Sequence, residues 1–121
     1  MSQILLVEDD ADTAAAAQAL LRRAGHEVTT AANGNLALQA LTQLKPDLIV
    51  LDLMMPQMDG AEFLQIMRSY RRWGSLPVVV WTGNPGELLD KARFQGINSV
   101  VIKGKATYND LLDAVEHAIP A

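Results

Sequence analysis

Five short apolar runs divide the chain: QILLV (3–7), EVTTA (27–31), DLIVLDL (47–53), LPVVVW (76–81) and SVVIK (99–103). Most are continuously apolar rather than alternating, as expected of strands covered on both faces. Each is followed by a segment with helical spacing. Leu20, Leu21 and Ala24 follow Ala16 and Ala17 in the first segment; Leu38, Leu41 and Leu44 mark the second, and Phe63, Met67 and Tyr70 the third. A fourth helix is expected after Pro85, over GELLDKARF, and a fifth over YNDLLDAVEHAI, with Leu111, Val115 and Ala118 on one stripe.

The punctuation agrees. Gly25 and Gly96 stand where helices should end, Pro46 and Pro77 stand near strand starts, and Asn33-Gly34 opens the second helix. A βα unit repeated five times implies an α/β protein: a parallel sheet with right-handed crossovers and helices on both faces. The five units use all of residues 1–121, so one domain is expected. Half of the residues are hydrophobic and a fifth are charged, the balance of a chain with a real core.

Net charge is −4, which opposes nonspecific contact with nucleic acid or an anionic membrane, so no direct nucleic-acid role is expected. There is no cysteine, which excludes disulfides, thiolate metal sites and cysteine nucleophiles. The N-terminal segment turns acidic too early for a signal peptide, and runs such as LIVL fall far short of a membrane span. A cytoplasmic protein is the expectation.

In doubly wound sheets, ligands bind beyond the carboxyl ends of the strands. There the first run leads into Glu8, Asp9 and Asp10, the third ends at Asp52, the fourth at Thr82 and the fifth at Lys103. Each has a plain explanation when taken alone: an acid capping the next helix, a turn acid, a turn hydroxyl, a solvated lysine. Their conjunction at one rim favours a common purpose. Two carboxylates about 4 Å apart repel by roughly 4 kcal/mol at an effective dielectric near 20, so such a cluster stays solvated or holds a cation. A hard cation such as Mg²⁺ takes one or two carboxylates together with phosphate oxygens. Asp52 is then a nucleophile toward phosphorus, giving an aspartyl phosphate, with lysine and hydroxyl donors on the phosphoryl oxygens. Gly83 leaves room for the transferred group.

On these residues the chain resembles the receiver domain of two-component response regulators over its full length. The acid pair lies in VEDD, the acceptor in LDLMMPQMDG, the hydroxyl in WTG and the lysine in VIKG; Pro56 and Gly60 follow Asp52 at the family's spacing. The resemblance implies a flavodoxin-like, doubly wound (βα)5 sheet of order 2-1-3-4-5. It makes Glu8 and Asp9 the acid pair, with Asp9 the direct metal ligand and Asp10 a neighbour without an assigned role. Asp52 becomes the phosphoacceptor, the backbone carbonyl of Met54 a further ligand, and Thr82 and Lys103 the holders of the phosphoryl group. Mg²⁺ is the implied metal, with Mn²⁺ as the alternative. The implied donor is a histidine kinase or histidine phosphotransfer protein, and the implied output is an altered surface for a protein partner that the sequence does not identify.

The chain departs from the family in three places. Receivers usually carry Lys-Pro with a cis bond where this chain has Lys103-Gly104, so a trans or strained bond and a changed loop before the fifth helix are expected. Val100 stands where a switching aromatic is usual. Strand five also lacks the acidic pair of the branch that dimerises through that face. Met54 and Asn84 lie two residues beyond the acceptor and the hydroxyl, where receivers tune water attack on the phosphoryl group.

Two other functions fit parts of the sequence. A receiver-like module that binds partners without phosphorylation is consistent with Val100 and Gly104, but the intact acidic, hydroxyl and amine set argues against it. A metal-dependent phosphohydrolase with an aspartyl nucleophile would use Asp10-x-Asp12. That motif lies too far past the strand, and neither a later acidic pair nor a cap segment follows. His26 and His117 are expected to be solvated or capping, SYRRWGSLP to be a helix end packed by its own aromatics, and the methionines to be loop and core filler.

Overall fold

The computed structural model describes residues 2–83 and 86–119. β1 (Gln3–Val7), β2 (Glu27–Ala31), β3 (Leu48–Leu51), β4 (Val78–Thr82) and β5 (Ser99–Ile102) form one parallel sheet in the order β2-β1-β3-β4-β5. α1 (Ala11–Arg23), α2 (Gly34–Gln43), α3 (Gly60–Arg68), α4 (Gly86–Phe94) and α5 (Tyr108–Ala118) connect and follow the strands, with a short 3-10 turn at Arg71–Trp73. The expected doubly wound architecture and strand order are both present. Pro85 and Asn84, which precede α4, lie outside the described residues.

The continuous apolar runs are explained by cover on both sides. Alternate residues of the central strands enter two separate cores. Leu5, Val7, Ile49, Leu51, Val78 and Val80 pack with α2, α3 and α4 through Ala37, Leu41, Phe63, Leu64, Met67 and Ala92. Ile4, Leu6, Val50, Val79 and Trp81 pack on the other face with Ala17 and Leu21 of α1 and Leu111 and Val115 of α5. β2 is an edge strand and buries only Val28 and Ala31.

Local signals set the boundaries. The Asn33 side chain accepts from the Leu36 amide at 2.8 Å, and Thr107 and Asp110 form a reciprocal capping box at α5. Gly25 and Gly96 end α1 and α4 with φ of 99° and 84°, which only glycine adopts cheaply.

Three strand expectations shift slightly. β3 stops at Leu51 rather than Leu53, because the chain turns there and the Leu53 carbonyl accepts from Gly60 instead of a neighbouring strand. β4 starts at Val78, since Pro77 has no amide to give a ladder. β5 ends at Ile102, and Tyr70 falls beyond α3, half-exposed.

His26 differs from expectation more strongly. It is buried, with Nε2 3.3 Å from Glu116 Oε1 of α5 and Nδ1 without a partner among the described residues, because α5 covers the loop into β2. His117 is exposed, with Nδ1 2.7 Å from the Asp113 carbonyl oxygen. Trp73 is buried under the Arg72 guanidinium, 4.3 Å from its ring, in keeping with a self-packed helix end. No local pattern marks Arg68, whose guanidinium donates to the carbonyls of Trp73, Gln95 and Gly96 at 2.9–3.0 Å and ties α3 to the end of α4.

Gly60 carries the tightest backbone approach. A Cβ there would lie 2.5 Å from the Asp52 carbonyl oxygen and 2.7 Å from Leu53 Cα, neither of which can move aside. At Gly34 the obstacle is Met58 Sδ, the end of a flexible side chain. Gly60→Ala is therefore expected to lower unfolding free energy by about 1–3 kcal/mol, and Gly34→Ala by clearly less, in urea titrations. Equal losses would contradict the role given to this approach.

Candidate functional site

The register of the sheet builds the site. Val7 pairs with Leu51, so the next residues, Glu8 and Asp52, leave β1 and β3 side by side; the Asp52 amide donates to the Val7 carbonyl at 3.0 Å. This is the switch point, where the chain winds outward from β1 in both directions. Thr82 pairs with Ile102, and the Lys103 amide donates to the Thr82 carbonyl at 2.9 Å, which brings the hydroxyl-bearing and amine-bearing residues to the same rim.

Glu8, Asp9 and Asp52 each offer a carboxylate oxygen within 4.8 Å of one another. Glu8 and Asp52 are buried and Asp9 is exposed. The Lys103 ammonium bonds Glu8 Oε1 and lies 3.5 Å from Asp52 Oδ2. The Asp10 amide donates to Glu8 Oε2 at 3.1 Å, and the Met54 amide donates to Asp52 Oδ1 at 3.2 Å. Asp10 itself faces α1, where its Oδ2 accepts from the Thr13 hydroxyl at 2.5 Å; it is the residue that precedes the helix rather than a member of the carboxylate group.

Three carboxyl groups face a single ammonium, so acidic groups outnumber basic ones at the rim. Three hard oxygen donors around one point suit a small divalent cation such as Mg²⁺ or Mn²⁺. Thr82 is fully buried and its Oγ1 has no hydrogen-bond partner among the described residues, an orphan that needs an acceptor. Gly83 is open on the side facing Lys103, whose Cβ lies 3.9 Å from where a Gly83 Cβ would be.

Asp52, Thr82, Lys103, Glu8 and Asp9 therefore assemble as the sequence suggests, and Met54 lies beside them with its side chain half-exposed. Asn84 lies outside the described residues. Val100 pairs with Val80 and packs against the core under α2, α3 and α4, so the position contributes packing and no ring. No cis bond occurs among the described residues, and Gly104 takes φ 83°, a conformation closed to proline. The loop after Lys103 is thus the changed one expected, with Ala106 donating to Ile102 at 2.8 Å. The sequence reading missed Trp81: its ring lies under the Lys103 ammonium, 4.7 Å from nitrogen to centroid.

Burial pushes the Glu8 carboxyl up from its ordinary 4.5 to about 7, against hydrogen bonds from Lys103 and the Asp10 amide, with the Asp52 charge adding to the rise. The folded protein therefore holds a proton that the unfolded chain releases between these values, and stability should fall as pH rises through that window. In chelator, the urea midpoint is expected to drop between pH 5 and pH 7.5, and to drop less in Glu8→Gln. A midpoint that rises over this range would contradict the assignment.

Residues 4–116 match the response regulator receiver domain family. The transcriptional regulatory protein AfsQ1 of Streptomyces coelicolor is 41% identical over 88 residues, 73% of this chain; the chain spans only 38% of that relative. Among solved structures, the chemotaxis protein CheY4 of Vibrio cholerae superposes with a TM-score of 0.90 at 27% identity, over 98% of this chain and 99% of that one. The receiver domain of the sensor histidine kinase PA1611 from Pseudomonas aeruginosa, which has a magnesium ion coordinated in its active-site cleft, is 25% identical with a TM-score of 0.89, over 99% and 98%. With residues 4–116 matched to the family, the chain belongs to the response regulator receiver domains, which are phosphorylation-controlled signalling switches.

Proposed function

We propose that residues 1–121 form one receiver domain that accepts a phosphoryl group on Asp52 from a histidine kinase or histidine phosphotransfer protein and thereby changes a surface read by a partner protein. One observation carries this reading: the Asp52 carboxylate lies buried beside two further carboxylates, with the Lys103 ammonium 3.5 Å away.

Glu8, Asp9, Asp52 and the Met54 carbonyl would hold Mg²⁺, or Mn²⁺ in its place, and the bound ion would neutralise charge on the phosphoryl oxygens. The protein's own contribution is placement. An Asp52 carboxylate oxygen forms a bond to phosphorus as the bond from phosphorus to the donor's imidazole nitrogen breaks, and the donor keeps that electron pair. Lys103 and the unpaired Thr82 hydroxyl then take two phosphoryl oxygens, which replace the ion pair with Asp52 and satisfy the orphan donor. Hydrolysis reverses the acceptor's role: water bonds phosphorus and Asp52 leaves as carboxylate. Met54, half-exposed beside Asp52, is placed to screen that approach.

The engagement of Thr82 is the event transmitted toward β5 and α4. Val100 offers no aromatic lever, so the response must pass through backbone shifts and other side chains. A cytoplasmic location follows from the donor, since histidine kinases are charged from ATP there; no helix among the described residues is long and apolar enough to cross a membrane.

Intact-mass measurement after incubation with acetyl phosphate tests this reading. One phosphoryl adduct is expected in the presence of Mg²⁺, none in chelator, and none in Asp52→Asn. An unmodified but folded, metal-binding wild-type protein would contradict it and favour a module that acts without phosphorylation.

A further inference from the structure

Trp81 is 5% exposed and stands one residue before Thr82 on β4. Two contacts define its surroundings. The Lys103 ammonium lies 4.7 Å from its ring centroid, and the Tyr108 ring, at the first residue of α5, meets it nearly edge-on, with centroids 5.8 Å apart and planes at 65°. An indole face is the strongest aromatic partner for a cation, and the attraction grows when water is excluded. An edge-on neighbour in turn fixes the plane of that face.

Lys103 needs such a partner. A cavity of about 170 Å³ opens between Thr13, Trp81, Lys103 and Tyr108, so the lysine chain is not confined by packing on that side. Its other two contacts, Glu8 and Asp52, are the carboxylates assigned above to the metal and the phosphoryl group. Once these are engaged, the indole is the contact of the three that remains unchanged.

We propose that Trp81 is a positioning residue whose indole face holds the Lys103 ammonium at the rim, with Tyr108 fixing the plane of the ring. The inference rests on the role given to Lys103 and adds what keeps the lysine in place. It also names a connection from the rim to the start of α5, through Lys103, Trp81 and Tyr108, in a chain that has only valine at position 100.

Proton NMR of the metal-free protein tests the placement without reference to phosphorylation. Protons held over an indole face move upfield, and the Lys103 signals are identified by their loss in Lys103→Met. The Lys103 Hε signals are expected upfield of those of the other lysines in wild type, partly so in Trp81→Phe, and at ordinary positions in Trp81→Leu. Phosphoryl uptake from acetyl phosphate should fall about tenfold in Trp81→Leu and by less in Trp81→Phe. Ordinary Hε positions in wild type would overturn the proposal, as would a folded Trp81→Leu protein that is phosphorylated at the wild-type rate. If Trp81→Leu does not fold, the wild-type shift and its change in Trp81→Phe decide the matter. An upfield Lys103 in a wild-type protein that takes up no phosphoryl group would support the placement and count instead against the reading of Asp52.

Discussion

The pairing of β1 with β3 is the constraint on which the site depends. With Val7 opposite Leu51, the first residues past each strand are both acids, and both are buried. Burying two like charges together is costly, and a single ammonium, that of Lys103, offsets part of that cost. The rest is met by protonation of Glu8 or by a bound cation. The site is thus poised: the same burial that raises the Glu8 carboxyl also favours any divalent ion able to take its place beside the carboxylates.

The scaffold holds this arrangement in position from below. Both faces of the sheet are covered by packed apolar layers, so the strand ends cannot slide without moving a core. Gly60 lets α3 start against the backbone of Asp52 and Leu53, and Arg68 binds the far end of the same helix to the carbonyls that close α4. α3, which begins where the acceptor loop ends, is therefore anchored at both of its ends. The segment after Lys103 follows different rules, because Gly104 turns the chain at φ 83° where proline could not.

Most of this was legible from short-range patterns. Continuous apolar runs, helix-ending glycines and an Asn33 cap are local signals, and local signals placed β1 and β2 to the residue. The rim residues were legible because a parallel sheet obliges strand ends to converge, whatever the details of packing. What escaped depends on contacts between distant segments. Trp81 beneath Lys103 requires knowing which face of β4 the lysine crosses; the burial of His26 requires knowing that α5 lies over the loop into β2; Arg68 requires the relative placement of α3 and α4. Tyr70 was assigned to a helical stripe by spacing, but the helix had already ended at Arg68.

In the proposed mechanism Asp52, Thr82 and Lys103 converge on one phosphoryl group. A crystal structure of the protein with Mg²⁺ and beryllofluoride, a phosphoryl mimic, tests it most directly. The mimic is expected on the Asp52 carboxylate, with the Lys103 ammonium and the Thr82 hydroxyl each bonded to a fluorine and the ion among Glu8, Asp9 and Asp52. A mimic held elsewhere, or a Thr82 hydroxyl still without a partner beside a loaded Asp52, would contradict it.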